Sequence, residues 1–288
     1  MDFLLLSIVS SVLVSMLLKI TARTHWDIRQ VIAGGYAVAA VLCLVFLNAN
    51  PYALMQGASS QAWWVLVMLG VLLPSLFLIL AKSVEQVGIV RTDAAQRLSL
   101  LVPLAAAFLL FGETFTWLKG TGLILGLMAI LLIVHKEKSA LKNSRAWRWP
   151  GLVFFGMGLI DILFKKMSAL AHMAFADVLF SVFVLALLLL GLYLMVLNYQ
   201  KKLAWHWHSL MGALLLGTFN FSNILFYIKA HQSMAKEPAL VFASMNMGVI
   251  ILGTLVGAGL FKEKITRSNA LGLVLALFAV AVLAWARF

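Results

Sequence analysis

Phe111-Gly112-Glu113-Thr114-Phe115-Thr116-Trp117-Leu118-Lys119-Gly120-Thr121-Gly122 returns in the second half of the chain as Phe261-Lys262-Glu263-Lys264-Ile265-Thr266-Arg267-Ser268-Asn269-Ala270-Leu271-Gly272. Phe, Glu, Thr and Gly stay in register, and each copy lies between two apolar runs. A membrane chain written twice, with an odd number of spans per copy, sets its copies in opposite orientations. That arrangement suits a protein that opens alternately to two sides.

The solvent for such a chain is lipid. Of 288 residues, 64% are hydrophobic and 11% charged, with a mean hydropathy of +1.04. No soluble domain of this size covers so much apolar surface. A spanning helix needs roughly 20 apolar residues, and such segments fall at 3–20, 29–49, 62–84, 88–111, 117–135, 149–169, 174–198, 207–231, 237–261 and 267–286. The expected fold is an all-α membrane protein of ten transmembrane helices in two inverted five-helix repeats. Residues 1–137 form the first repeat, 138–148 a basic connecting loop and 149–288 the second repeat.

Met1-Asp2-Phe3 offers no positive n-region, so the first helix is expected to be retained. Cys43, the sole cysteine, sits in an apolar run and excludes disulfides and thiolate metal sites. The net charge of +12 is spread over helix ends and short loops, which points to membrane topology rather than nucleic acid. With the N-terminus outside, the inner loops collect Lys19, Arg23, Arg29, Lys82, Arg91, the basic residues of 136–148, Lys201, Lys202, Lys262, Lys264 and Arg267. The outer ones keep Lys119, Lys165, Lys166, Lys229, Lys236 and Arg287, so the charge count favours both termini outside. Trp63, Trp64, Trp147, Trp149, Trp205, Trp207 and Trp285 mark helix ends as an aromatic belt. Trp205-His206-Trp207-His208 lacks a third ligand and reads as belt rather than metal site.

Charged groups deep in a bilayer cost a few kcal/mol and face a cavity or a partner. In Gly88-Ile89-Val90-Arg91-Thr92-Asp93-Ala94-Ala95-Gln96-Arg97-Leu98-Ser99, Arg97 lies about 4 Å from the midpoint of the fourth segment. It either pairs with Asp93 one turn away or offers its guanidinium to an anionic or carboxylate group. Asp161 is the other deep charge, and can carry a coupling proton, accept a cationic group or pair with Arg97 across the bundle. Asp177 reads as a helix-start carboxylate. Ser7, Ser11 and Ser15, ahead of Lys19, form a small polar stripe that serves close packing or lines a cavity. Asn220, Asn223 and Tyr227 recur on one face of the eighth segment. Asn246 has Gln96 as its repeat partner, and Met245 and Met247 beside it offer an adaptable wall or packing filler.

Other correspondences keep the same order. Lys19 answers Lys165; Gly70, Ser75 and Lys82 answer Gly217, Ser222 and Lys229. Gly122-Leu123-Ile124-Leu125-Gly126 and Gly272-Leu273-Val274-Leu275-Ala276 are small-xxx-small motifs that predict tight packing of the fifth and tenth helices. Pro74 and Pro103 supply kinks.

Two five-helix repeats, a basic end to helix one at Lys19, and the Phe111-Gly112-Glu113 turn resemble the drug/metabolite transporter superfamily in its ten-helix EamA-type branch. The resemblance covers the whole chain, with Lys262 standing where a second turn glycine belongs. It implies a multi-pass carrier of the bacterial inner membrane, cytoplasmic termini, a central cavity, and structural fifth and tenth helices. Small multidrug relatives carry a carboxylate in mid helix one, where this chain has Ser11 and Ser15.

The leading expectation is a secondary transporter, an exporter, moving a small polar metabolite that is amino-acid-like, anionic or zwitterionic. Arg97 receives the anionic group and Asp161 an amino group or a proton, while Gln96, Asn220, Asn223, Tyr227, Asn246, Ser11 and Ser15 bind or line. Protons are a candidate coupling ion, no cofactor or metal is expected, and the chain is a monomer or homodimer. One alternative is proton-coupled efflux of cationic drugs through Asp161; another is a non-transporting scaffold or lipid-handling subunit. Enzymatic chemistry is disfavoured, since no nucleophile has an evident base and no paired metal motif is present. ATP drive would need a Gly-rich phosphate loop.

Overall fold

The computed structural model describes residues 2–21, 26–50, 52, 56, 59–87, 89–134, 144–170, 172–200, 207–261 and 267–286. Among them every regular element is helical. Residues 262–266 of the second turn copy, Glu263 among them, and Arg23, Lys201, Lys202, Trp205, His206 and Arg287, lie outside the described residues, as do the side chains of Lys19, Arg91 and Asp93. The helices are α1 (Asp2–Thr21), α2 (Ile28–Leu47), α3 (Ser60–Val87), α4 (Ile89–Leu98), α5 (Leu101–Leu109), α6 (Trp117–Val134), α7 (Arg148–Ser168), α8 (His172–Tyr199), α9 (Ser209–Ser233), α10 (Pro238–Phe261) and α11 (Arg267–Trp285).

Among the described residues six stretches are long and apolar enough to cross a membrane: Ile28–Leu47, Ser60–Val84, Phe175–Tyr199, Ser209–Ser233, Pro238–Leu260 and Arg267–Trp285. Lipid leaves backbone groups no partner but one another, so these runs become helices. Large apolar side chains such as Val45, Phe46, Leu192 and Leu277 face outward along them. The chain is a multi-pass helical membrane protein.

The expected single helix over 88–111 is a correction. Its place is taken by α4 and α5, parted by a turn at Ser99–Leu100. Pro103 has no N–H to give the Ser99 carbonyl, and the helix breaks one turn upstream. Val102 N–H donates to Ser99 O instead (3.0 Å), and the Gln96 carbonyl, released by the break, accepts from Ser99 Oγ at 2.6 Å. Pro74 leaves α3 continuous.

In the principal pairings α1 lies on α9 and α10, α2 on α8 and α9, α3 on α7 and α8, α4 and α5 on α7, and α6 on α11. Exchanging α1 with α7, α2 with α8, α3 with α9, α4–α5 with α10 and α6 with α11 carries this set onto itself. Small residues set the close approaches. A side chain on Gly217 would sit 2.6 Å from the Gly35 carbonyl oxygen, and one on Gly34 would sit 2.6 Å from Ala213 Cβ. Gly122 lies against Leu283 and Gly126 against Met247 and Ala279, so the first small-xxx-small motif does join α6 to α11.

The Gly112–Glu113 turn, the C-terminal ends of α7 and α9 and the N-terminal end of α10 share one end of the bundle, the turn face. Gly112 adopts φ +66°, left-handed backbone that favours glycine. Glu113 then reaches inward: Oε2 accepts the Ala239 N–H at 2.7 Å and Oε1 pairs with Lys119 Nζ at 2.9 Å. Lys165 Nζ donates to the Ala235 carbonyl at 3.0 Å. Lys119 and Lys165 are thus buried partners rather than the outer-loop charges expected of them. Their long stems carried them inward, where acceptors waited.

Candidate functional site

Helices α1, α4, α7, α9 and α10 enclose a cavity of about 210 Å³. Among the residues expected to bind, Ser11, Gln96, Arg97, Asp161, Asn223, Tyr227 and Asn246 all line it. Two expected residues do not. Asn220 borders a separate void of about 10 Å³ with Tyr36 and Phe77, where the contact of Gly35 with Gly217 leaves little space. Ser15 is exposed and its hydroxyl donates to the Ser11 carbonyl at 3.1 Å.

The break between α4 and α5 positions one wall. It ends α4 at the depth of Gln96 and Arg97, and Ser99 joins them in the lining. Opposite, the Tyr227 hydroxyl donates to Asp161 Oδ1 at 3.1 Å, and no cation stands within ion-pair distance of Asp161 among the described residues. The pairing of Asp161 with Arg97 across the bundle, one of the expected options, is therefore not formed. Arg97 and Asp161 thus line the same cavity without bonding each other.

The amides divide the remaining work. Ser7 Oγ donates to Asn223 Oδ1 at 2.9 Å, which leaves the Asn223 NH₂ as a donor for the cavity. Asn246 Nδ2 donates to the Phe242 carbonyl at 3.0 Å, which leaves its Oδ1 as an acceptor. Arg97 and Asn223 thus present donors, while Asp161 and Asn246 present acceptors. Met157, Ile160, Phe164, Ile224, Met245 and Val249 complete an apolar wall. Of these only Met245 was singled out in the sequence; Met247, its neighbour, is buried against Gly126 and plays the packing role.

Toward the turn face the cavity is closed. Tyr227 meets His231 edge-on at 4.8 Å between ring centroids, and His231 meets Phe242 at 4.7 Å; Phe164 lies against Tyr227 at 6.2 Å. Toward the other end, exposure rises along the serine stripe from buried Ser7 through half-buried Ser11 to exposed Ser15, and Gln96 is exposed as well. Among the described residues the cavity is open on that side. His231 was missed in the sequence, because a lone histidine in an apolar run carries no spacing signal.

Comparison with known proteins gives the context. The EamA-like transporter family model matches residues 2–135. An uncharacterized protein of Haemophilus influenzae is similar over 288 aligned residues at 43% identity, covering 97% of this chain and 96% of that one. A solved crystal structure superposes with a TM-score of 0.66 at 11% identity, covering 98% of each chain, a likeness of fold alone. The chain belongs to the EamA-like transporter family, within the drug/metabolite transporter superfamily.

Proposed function

We propose that the chain is a secondary carrier of the bacterial inner membrane that exports a small zwitterionic or anionic metabolite, of amino-acid type, by alternating access. It does so with ten spans in two inverted repeats. The observation that carries this reading is the meeting of Arg97 and Asp161, unpaired with each other, in one cavity with a donor amide and an acceptor amide. A carboxylate held by Arg97 and an ammonium held by Asp161 would each be bound through charge-assisted hydrogen bonds. The exchange symmetry of the helix pairings supports the repeat. On the charge count the open end is cytoplasmic, the order of loading an exporter needs.

A volume of about 210 Å³ is small beside the roughly 300–1,000 Å³ of sites for drug-sized ligands, which favours a metabolite over bulky cationic drugs. A thermal-shift screen of purified protein against amino acids, nucleosides, sugar phosphates and cationic drugs identifies the cargo. A ligand at a hundred times its dissociation constant stabilises the folded state by about 2.7 kcal/mol. Arg97→Ala and Asp161→Asn should each abolish that stabilisation and the uptake of the same compound into inside-out vesicles. Transport unchanged in both variants ends the assignment.

A further inference from the structure

We propose that His231 is a proton-binding site, and that its protonation drives the turn face open; the proposal rests on reading the chain as an alternating-access carrier. His231 is wholly buried, and neither Nδ1 nor Nε2 has a hydrogen-bond partner among the described residues. A neutral imidazole has one donor and one acceptor, and an apolar ring would fill this slot without leaving either unmet. An orphaned polar ring in the layer that seals a cavity implies another conformation in which it is satisfied.

The surroundings say what that conformation supplies. On its own helix, one turn back, Tyr227 meets the ring edge-on and holds Asp161, so a single face of α9 links the cavity carboxylate to His231. From α7 the titratable groups are Asp161 and Lys165, and Lys165 is engaged with the Ala235 carbonyl. From the approach to α10 comes Glu237, and from the α5–α6 turn Glu113, which is occupied by Lys119 and the Ala239 N–H. None of them bonds the imidazole. An imidazolium here would hold two donors and a charge with no acceptor. The proton therefore binds the state in which the ring meets water, and a ligand shifts a population toward the state it binds better. Reaching water from the turn face requires parting Tyr227, His231 and Phe242, the layer that closes the cavity.

The magnitude follows from a hydrated imidazole that titrates near 6.5. If only the open state takes the proton, the open-to-closed ratio rises about tenfold between pH 7.5 and 5.5. A cysteine reporter reads this without any cargo. Met234→Cys, buried at the turn-face end of α9, is placed in a Cys43→Ala background and labelled with a charged, membrane-impermeant maleimide. Rates are divided by those of the same protein unfolded in detergent, because thiolate chemistry alone slows labelling at low pH. The normalised rate should rise about tenfold on acidification and become flat in both His231→Gln and His231→Phe. The phenylalanine variant preserves the aromatic layer should the amide disturb folding. A flat reporter in the parent, or a rise that survives in the His231 variants, overturns the proton site. Failure of every ligand in the thermal screen would instead overturn the cargo assignment, so the two are separable.

Discussion

Glu113 should hold the turn face together through charge as well as shape. Its carboxylate is 1% exposed and its partner Lys119 11% exposed, with 2.9 Å between Oε1 and Nζ. The second oxygen accepts from Ala239, the first backbone donor of α10, since Pro238 has no N–H to offer. Glu113→Gln keeps an acceptor for Ala239 but strands the lysine ammonium. Breaking a buried pair from one side costs about 3–5 kcal/mol. Lys119 also reaches the Thr114 carbonyl at 3.4 Å and can move its head outward along its stem, so the lower end applies, about 3 kcal/mol. Lys119→Met leaves a carboxylate at a helix N-terminus, which the helix dipole favours, and should cost about 1–2 kcal/mol. The double variant has no buried charge and retains the cap, so it should lie within about 1 kcal/mol of the parent. Thermal unfolding of the detergent-solubilised protein, followed by tryptophan fluorescence, reads these differences. At roughly 2 °C per kcal/mol, Glu113→Gln lowers the midpoint by about 6 °C, and adding Lys119→Met restores most of it. Simple additivity of the two single effects would refute the coupling.

Two further outcomes follow from local geometry. Gly217→Ala puts a methyl 2.6 Å from both the Gly35 carbonyl oxygen and Val38 Cβ, so α2 and α9 must separate, at about 1–3 kcal/mol. Gly151→Ala, which meets nothing within 4 Å, should be neutral or stabilising by up to about 1 kcal/mol in the same melt. Asp27, just ahead of α2, caps the Arg29 N–H at 2.9 Å and pairs with Arg29 Nη2 at 2.6 Å. Burial alone would raise its pKa, but the Arg29 hydrogen bonds and charge outweigh that and hold it below 3.8. Its contribution is therefore present above the unfolded value and lost as pH falls through the folded one. Asp27→Asn should cost about 1 kcal/mol at pH 7, given the part-exposed arginine, and progressively less as acidification protonates the native carboxylate. A difference that stays constant as pH falls would refute the role of the carboxylate charge.

Hydropathy located the long described helices because lipid permits few other solutions. The boundaries of α1, α2 and α6 to α11 lie close to the segments read from composition. Most of the cavity was legible for the same reason: Arg97, Asp161, Asn223 and Asn246 stand out because the bilayer penalises them. Depth is encoded locally, whereas azimuth and partner are not. Asn220 shares a helical face with Asn223 and Tyr227, yet the approach of α2 walls it off from the cavity. Pro103 signalled a kink, but the full break at Ser99–Leu100 needed Ser99 Oγ to take the Gln96 carbonyl. Glu113 marked the repeat and was placed at a helix end away from the cargo. Its clasp on Ala239 joins residues far apart in the chain, and no short window reveals that.

The two ends of the bundle cannot work alike. In the register that aligns Gly70 with Gly217, Tyr227 falls opposite Leu80 and His231 opposite Val84. In that register the hydroxyl and imidazole of Tyr227 and His231 are answered by the aliphatic side chains of Leu80 and Val84, so the titratable ring has no counterpart. The cavity carries the same imbalance, since Arg97 answers to Met247 and Asp161 to Ser15. A symmetric carrier with two identical gates would respond to protons on both faces, and a gradient would then exert no net bias on its cycle. Placing the titratable ring on one face makes protonation report which side the proton came from. Inverted repeats supply two interchangeable conformations; the substitutions between them decide which conformation a proton selects. On this argument Val84→His, which would restore a symmetric pair, should uncouple cargo movement from a pH gradient while leaving exchange across equal pH intact.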